Sequence, residues 1–311
     1  STLMRSSAAS DVYKRQVYHN ALKHYAKPVA NAVGMLADKI IENKGKKMVL
    51  VSLARAGIPI GILVKRYIKF KYGINVPHYS ISIIRGRGID DNAMKYLLEK
   101  YRPQQILFVD GWIGKGAILN ELKKDISAYE GVSADIAVVA DPANVTELCG
   151  THEDILIPSS CLNSTVSGLI SRTFLRDDII GRDDFHGAVY YGELTDSDLS
   201  YDFIETIEKE FNMENTPDLE KRVESQGIDE VINIGKNFGI DDINLIKPGI
   251  GETTRVLLRR IPWKVLIDER YKGNPQLEHI VRLAEEKHTP VEYYPLTHYK
   301  CCGIIKKLAD A

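Results

Sequence analysis

Apolar segments of strand length alternate with helical segments over residues 17–199, and this alternation constrains the fold more than any other feature. The segments KMVLVSLA, HYSISII, QILFVD and ADIAVVAD are rich in apolar residues, and stretches of helical periodicity separate them. Apolar strands without polar alternation are buried on both faces, which requires helices on both sides of a parallel sheet. The pattern therefore predicts a doubly wound α/β fold, with ligands bound at the carboxyl ends of the strands.

The pattern of apolar residues also predicts the elements at the two ends of residues 17–199. Apolar residues recur at helical spacing from Val17 to Asn43, with a break or kink expected at Pro28. Further along, DILIPSS (154–160) and HGAVYYGEL (186–194) are predicted strands. STVSGLISRTFL (164–175) is a predicted helix that begins behind serine and threonine caps.

The chain divides into four predicted segments. Residues 1–16 are small, polar and aperiodic, so we expect them to be non-native sequence and set them aside. Residues 17–202 form the α/β domain, and residues 203–244 form an acidic helical connector. Residues 245–311 carry a new pattern of strands and helices, which predicts a small second α/β domain.

Composition excludes some classes of protein. The 311 residues carry a formal net charge of −1, and no apolar run reaches the roughly 18 residues of a membrane span. The four cysteines form no CxxC pair, and we find no zinc-binding spacing with histidine. We therefore expect a reduced, cytoplasmic protein that does not cross a membrane. The sequence is compatible with both a monomer and an oligomer.

Three strand-to-helix turns carry candidate phosphate-binding residues. The turn in VSLARAGIPIG places Arg55 and Gly57 after a strand, where a guanidinium can bind a diphosphate with two hydrogen bonds. The loop IIRGRGIDD offers Arg85 and Arg87 in a glycine-rich segment, which suits a lid over phosphates. Each turn taken alone also fits an ordinary surface connection.

The third turn lies in ILFVDGWIGKGAIL, where a strand ends at Asp110 and a helix follows. Backbone N–H groups from Gly114 to Ala117, at the start of that helix, would form an anion-binding nest. Lys115 is followed by Gly116 and not by serine or threonine, so the turn is not a Walker A loop. Asp110 would hold a ribose hydroxyl or a metal-bound water.

Hydroxyl side chains crowd the segment LIPSSCLNSTVSG. A helix cap needs one such residue, whereas this segment holds six polar residues or thiols that would bind an anion or a polar base edge: Ser159, Ser160, Cys161, Asn163, Ser164 and Thr165. A cysteine at a helix N-terminus can also be a nucleophile. Cys161 with His186 or His152 therefore predicts an alternative cysteine hydrolase.

The turn around Asp110 resembles the signature of type I phosphoribosyltransferases, in which two acids precede a loop ending in Thr-Gly-x-Thr. LARAG and RGRG are similar to that family's pyrophosphate loop and mobile catalytic loop. The resemblance implies a substrate like phosphoribosyl pyrophosphate, held together with Mg²⁺, which Asp110 would bind indirectly. Gly111 stands in place of the second acid, and Lys115 in place of a hydroxyl residue.

Longer segments, including SLARAGIPIG, FVDGWIGKGAI and IPSSCLNSTVSGLISRT, are similar to the bacterial StiP family. That family is named as a cysteine protease, has a phosphoribosyltransferase-like domain, and resembles proteins of tellurium-resistance and stress operons. The C-terminal segments GIGETTRVLLRR and LAEEKHTPVEYY resemble Pelota-like RNA-binding domains. This second resemblance implies RNA contacts by Gly251, Glu252, Thr254 and Arg255, although glycine replaces the family's asparagine at Gly251. Arg259 extends the positive face of this segment and is a further candidate RNA contact.

Three functional hypotheses follow. The first is a phosphoribosyltransferase-like enzyme with an RNA-binding tail, the second a hydrolase using Cys161, and the third a non-catalytic sensor of ribose phosphate and RNA. The first assigns catalysis to Arg55, Arg85, Arg87 and Asp110, phosphate binding to Gly57, Gly114, Lys115, Gly116 and Ala117, and the acceptor to the segment Ser159–Thr165.

Overall fold

A computed structural model of the chain describes residues 2–217 and 223–308, with side chains described from residue 11 onward. Its larger sheet has six strands in the order β3-β2-β1-β4-β5-β6. All neighbouring strands are parallel except β2 and β3, which are antiparallel. The strands are β1 (Val49–Ala54), β2 (His78–Ile84), β3 (Gly88–Ile89), β4 (Ile106–Trp112), β5 (Ile136–Ala140) and β6 (Cys149–Thr151).

Helices cover both faces of this sheet, as the apolar strands predict. Successive residues of β1 enter different cores, since Val49 lies in the core of one face and Leu50 in that of the other. One core contains residues of α1 (Thr2–Lys44), α2 (Gly57–Tyr72) and α5 (Ser200–Glu208). The other contains residues of α3 (Asp91–Lys100) and α4 (Ala117–Ile126). The mixed α/β architecture with a mostly parallel sheet is thus confirmed, and this sheet with α1–α5 is the first unit.

The first helix differs from its prediction in two ways. It begins at Thr2, so the segment that the sequence analysis set aside is continuous with it, and it continues through Pro28 without a break. Tyr13 packs against the core, and Arg15 donates a hydrogen bond to the carbonyl of Ser197 at 3.1 Å. Tertiary contacts therefore extend the helix beyond the apolar periodicity that starts at Val17.

The segment before α5 forms little of the predicted regular structure. The edge strand is β6 and not DILIPSS, in which Pro158–Cys161 form a short 3-10 helix. The predicted helix from Ser164 ends as a 3-10 turn at Val166, because Gly168 and Leu169 both take positive φ angles (73° and 61°). The predicted strand HGAVYYGEL makes only isolated bridges with the segment around residues 170–174.

A second sheet of four strands, in the order β7-β10-β8-β9, forms the second unit with helices α6–α8. Helix α6 packs on one face of this sheet through Val231 and Ile234, although the sequence analysis placed it in the acidic connector. Helices α7 and α8 cover the other face, and their apolar residues join the larger core of the first unit. The elements are α6 (Gly227–Phe238), β7 (Ile246–Pro248), α7 (Ile250–Arg259), β8 (Pro262–Ile267), α8 (Glu278–Glu286), β9 (Val291–Tyr293) and β10 (Cys301–Ile305).

Candidate functional site

An arginine-lined cavity opens where the strand order of the first unit reverses. The chain runs outward from β1 through β2 on one side and from β4 through β5 on the other, so β1 and β4 flank the switch point. A cavity of about 460 Å³ lies beyond the carboxyl end of β1. Four guanidinium side chains line it, three from the first unit and one from α7: Arg55, Arg85, Arg172 and Arg255.

Arg55 occupies the turn that the sequence analysis singled out. The Nη1 atom of Arg55 donates hydrogen bonds to the Oγ of Ser164 at 3.2 Å and to the carbonyl of Ile170 at 3.1 Å. Burial, followed by repulsion from Arg172 and Arg255, lowers the pKa of Arg55. Among the described residues that line the cavity there is no carboxylate. Converging cations without a counter-charge favour an anionic ligand.

Gly57 has a structural role in this turn. An added Cβ atom at Gly57 would lie 2.6 Å from the carbonyl oxygen of Val109 and 3.2 Å from the Cα of Asp110. Only glycine therefore lets α2 start this close to β4. The sequence analysis predicted a close approach at Gly57 to a ligand, whereas the structure shows the close approach to a neighbouring strand.

Asp110, in the last part of β4, is held by its own strand. Its Oδ1 accepts a hydrogen bond from the backbone N–H of Gly111 at 2.8 Å. Burial raises the pKa of Asp110 to about 7, against opposing effects of that hydrogen bond and of Arg255, while Glu252 raises it further. A carboxyl group with this pKa can exchange a proton near neutral pH.

Lys115 does not reach the arginine-lined cavity. Its Nζ donates hydrogen bonds to two carbonyl oxygens of the second unit, those of Ile243 at 2.7 Å and Ile246 at 2.8 Å. The carbonyl of Gly114 accepts a third inter-unit hydrogen bond, from the hydroxyl of Tyr299 at 2.7 Å. The predicted phosphate-binding lysine is thus a contact between the two units.

Lys115 and the residues after it border a separate, smaller cavity of about 220 Å³. Gly116, with φ of 96°, and Ala117 line it at the start of α4, and Arg85 lines both cavities. Arg85 is exposed and donates to the Oδ1 of Asn244 at 3.2 Å. Arg87 is exposed and lies outside both linings, so the predicted arginine pair contributes one side chain to the site.

The hydroxyl-rich segment lies beside the arginine-lined cavity. Ser159 and Asn163 line the cavity, and Ser164 accepts the hydrogen bond of Arg55. The hydroxyl oxygens of Ser159 and Ser160 are buried and have no hydrogen-bond partner among the described residues. Thr165 contributes its carbonyl to the backbone N–H of Leu199 at 2.7 Å. The predicted acceptor segment therefore supplies polar atoms to the cavity wall.

Cys161 does not have the environment of an activated nucleophile. The residue is fully buried, and burial raises the pKa of its thiol to about 12, although Arg259 and Ser160 lower it. His186 bonds to the hydroxyl of Ser82 at 2.8 Å through Nδ1. No hydrogen bond joins Cys161 to a histidine in the part of the chain that the structure describes.

The structure places His152 against a different cysteine. The Sγ atom of Cys149 lies 3.4 Å from Nε2 and 3.7 Å from Nδ1 of His152, and the Oδ2 atom of Asp141 lies 3.7 Å from Nδ1. The sequence does contain the spacing Cys-x-x-His at these positions, contrary to our reading of the cysteines. Asp141 is eight residues upstream of Cys149, directly after the neighbouring strand β5, and sequence spacing gives no signal for such a pairing.

The predicted RNA contacts in α7 face the first unit. Glu252 accepts a hydrogen bond from the indole N–H of Trp112 at 3.0 Å, and the guanidinium of Arg255 lies 5.9 Å from the same ring. Arg259 donates to the Oδ1 of Asn163 at 2.6 Å and to the carbonyl of Cys161 at 2.9 Å. In this arrangement the side chains that the resemblance assigned to RNA pack on the first unit.

The other two predicted contacts are also enclosed. Gly251 lies close enough to Ser160 that an added Cβ would be 3.4 Å from its Oγ. Thr254 is fully buried and donates to the carbonyl of Ile250 at 2.7 Å.

The sequence analysis did not predict Arg172 and Trp112 as residues of the arginine-lined cavity, because Arg172 lies in the segment predicted as a helix and Trp112 carries no charge.

Comparisons with known proteins identify the family. A family model described as "Tellurite-like stress resistance cysteine protease StiP" matches residues 1–208. The chain belongs to the StiP family. The protein named "Cysteine protease StiP" from Acinetobacter baylyi is 31% identical over 314 residues, which cover 94% of this chain and 81% of that protein. A second model, the PELOTA RNA binding domain, matches residues 225–307 and thus includes α6.

A solved structure was also compared. A hypothetical protein from Neisseria gonorrhoeae with bound ppGpp aligns with 36% of this chain at 16% identity and a TM-score of 0.26. This chain spans 65% of that protein's chain. A TM-score of this size carries no argument about the fold or the ligand.

None of the described helices is both long and apolar enough to cross a membrane.

Proposed function

We propose that the first unit binds a small phosphorylated anion in the arginine-lined cavity, as the binding site of an enzyme in a bacterial stress response. The four guanidiniums that converge on a cavity lined by no described carboxylate carry this proposal. A pocket of this volume accommodates a phosphorylated sugar. The ligand that we expect is a ribose 5-phosphate that carries pyrophosphate, because we propose that the first unit has a fold of the type I phosphoribosyltransferase kind.

The position of the cavity supports this ligand class. Arg55 comes from the turn after β1 and Arg172 from the chain that follows the hydroxyl-rich segment, so a pyrophosphate between them would receive charge-assisted hydrogen bonds from both sides. Asp110, whose pKa of about 7 makes it a proton acceptor near neutral pH, lies at the end of the adjacent strand. Mg²⁺ would accompany the pyrophosphate, with Asp110 holding a water of the metal.

Calorimetric binding of Mg²⁺-pyrophosphate and of ribose 5-phosphate tests the proposal. We expect wild type to bind both, and Arg172→Ala to weaken pyrophosphate binding at least tenfold, about 1.4 kcal/mol. Arg176→Ala is the matched control, because Arg176 is exposed and pairs with Asp178 at 2.6 Å away from the cavity lining. Wild type that binds neither anion, or equal weakening by both variants, would refute the proposal.

The family's name supports a second candidate, a cysteine hydrolase that uses Cys161. One observation favours it: the guanidinium of Arg259 is fixed at the Cys161 carbonyl and lowers the pKa of the thiol. Burial has the larger, opposite effect, so hydrolysis would require a movement that exposes the thiol to solvent and to a base.

Cleavage of labelled casein tests this second candidate. Activity that disappears in Cys161→Ala and remains in Cys302→Ala would support it, since both thiols are buried and Cys302 lies in the second sheet. Activity that is absent from wild type, or that both variants retain, would refute it. In that case Cys161 is a packing residue of the interface between the units.

For the second unit we propose RNA binding, supported by its match to an RNA-binding domain family. The predicted base contacts pack on the first unit, so we expect RNA binding to require separation of the units or a different face. A gel shift with structured RNA that weakens as NaCl rises would support the proposal. No shift at low salt would refute it.

A further inference from the structure

Three side chains that take no part in the arginine-lined cavity converge at the edge of the first sheet. Asp141 directly follows β5, Cys149 is the first residue of β6, and His152 directly follows β6. Their potential ligand atoms all lie within 4.8 Å of one another. Asp141 and Cys149 are fully buried, and 23% of the His152 side chain is exposed. The three residues therefore form a compact cluster with one side toward solvent.

The histidine ring is held in an orientation that suits a metal ligand. Its Nδ1 atom lies 3.0 Å from the backbone carbonyl oxygen of Asp141, and because a carbonyl oxygen only accepts hydrogen bonds, Nδ1 is the protonated nitrogen that donates this bond. In that tautomer Nε2 carries no proton, and it lies 3.4 Å from the Sγ of Cys149. Metal-binding histidines commonly donate their other ring N–H to a carbonyl in this way.

The separation of the two donor atoms fits a shared metal. Sulfur and nitrogen ligands lie about 2.3 and 2.1 Å from a zinc ion, so in tetrahedral geometry they are about 3.6 Å apart. The Sγ and Nε2 atoms of the cluster are 3.4 Å apart, but Sγ also lies 3.7 Å from Nδ1, so the imidazole ring or the Cys149 side chain has to rotate before both atoms bind one ion. Zinc is the metal that most often takes sulfur, nitrogen and carboxylate ligands together.

Asp141 supplies an independent indication of a cation. Its Oδ2 accepts hydrogen bonds from the backbone N–H groups of Val145 and Thr146, both at 2.8 Å. Its Oδ1 is buried and has no hydrogen-bond partner among the described residues. Burying a carboxylate oxygen without a partner destabilises the folded chain, and a bound cation removes that cost.

We propose that Asp141, Cys149 and His152 bind one Zn²⁺ ion. Three protein ligands leave a fourth position for water. His152 lines a cavity of about 380 Å³ that adjoins the cluster and can supply this water. The zinc site is separate from the arginine-lined cavity, and it does not depend on the proposed function.

Metal loading of the full chain tests the site. After chelator treatment and dialysis, we expect wild type to bind one Zn²⁺ per chain by elemental analysis and by native mass spectrometry. Titration with Co²⁺ should produce a thiolate-to-cobalt charge-transfer band, because Co²⁺ accepts the same ligands and reports directly on a bound sulfur. This readout requires no enzymatic activity.

Matched variants locate the metal. Cys149→Ala should remove the cobalt band and lower zinc occupancy at least tenfold, whereas Cys302→Ala, the same change at another buried thiol, should leave both unchanged. Asp141→Asn keeps the side-chain size and should weaken binding without unfolding the chain, which circular dichroism checks. Wild type without stoichiometric zinc, or a band that persists in Cys149→Ala, would overturn the proposal. Rapid alkylation of Cys149 in zinc-saturated protein would overturn it too, since a zinc-bound thiolate is protected.

Discussion

The two glycine-containing turns after β1 and β4 look alike in sequence and differ in the structure. Each follows a buried strand, carries one basic residue and starts a helix. Arg55, in the first turn, points into the arginine-lined cavity, while Lys115, in the second, binds carbonyls of the second unit. A basic residue in such a turn therefore either lines a cavity or makes a contact between units, and the local sequence does not distinguish the two.

The largest expected effect is on stability, at the second turn. Lys115→Ala removes the ammonium group that donates hydrogen bonds to the carbonyls of Ile243 and Ile246. This change should lower the free energy of unfolding by about 2–3 kcal/mol. Urea unfolding measures this change. Lys115→Met, which keeps the chain length without the donors, should behave similarly. If either variant instead lowers pyrophosphate affinity at unchanged stability, the two turns are functionally alike.

The next effect is on ligand binding, at the first turn. Arg55→Ala should weaken Mg²⁺-pyrophosphate binding by about tenfold or more, because a charge-assisted hydrogen bond contributes about 1.5–3 kcal/mol. Calorimetry measures the dissociation constant, with Lys115→Met as the comparison. Equal affinity in Arg55→Ala and wild type would contradict the assignment of this turn to the ligand.

A smaller effect concerns the pH dependence of stability. Burial and the nearby Lys247 lower the pKa of Lys115 from 10.5 to about 8. Between these two values the unfolded chain binds more protons than the folded chain, so the contribution of Lys115 to stability rises as pH increases from about 8 toward 10.5. Unfolding of wild type and Lys115→Met across that window should diverge in this direction. Parallel curves would show that the lysine is not buried between the units.

The smallest effect is expected at the cavity wall. Ser159 has a buried hydroxyl without a partner among the described residues, so Ser159→Ala removes an unsatisfied polar group and should leave the free energy of unfolding unchanged or raise it by up to about 1 kcal/mol. If a ligand uses this hydroxyl, the same variant weakens ligand binding severalfold. Thermal unfolding with and without pyrophosphate measures both quantities. A large loss of stability in the absence of ligand would place Ser159 in the fold and not in the site.

The sequence predicted the first sheet well because its strands are buried on both faces. KMVLVSLA, QILFVD and ADIAVVAD became β1, β4 and β5, and the turns after β1 and β4 were placed correctly. The prediction was wrong over STVSGLISRTFL, where periodicity and caps suggested a helix. Gly168 and Leu169 adopt positive φ angles there, and the segment follows the cavity wall instead.

The sequence by itself determined the parallel α/β core, the family, and the strand ends at which Arg55 and Asp110 lie. Only the tertiary structure decided which of the candidate residues line the arginine-lined cavity. Helix α7 packs against the first unit and brings Arg255 into the cavity, whereas the same packing consumes Lys115, Glu252 and Arg259 in contacts. Strand pairing likewise brought Asp141 beside Cys149 and His152. Apolar periodicity is local and is therefore visible along the chain, whereas contacts between polar groups depend on distant segments that only folding brings together.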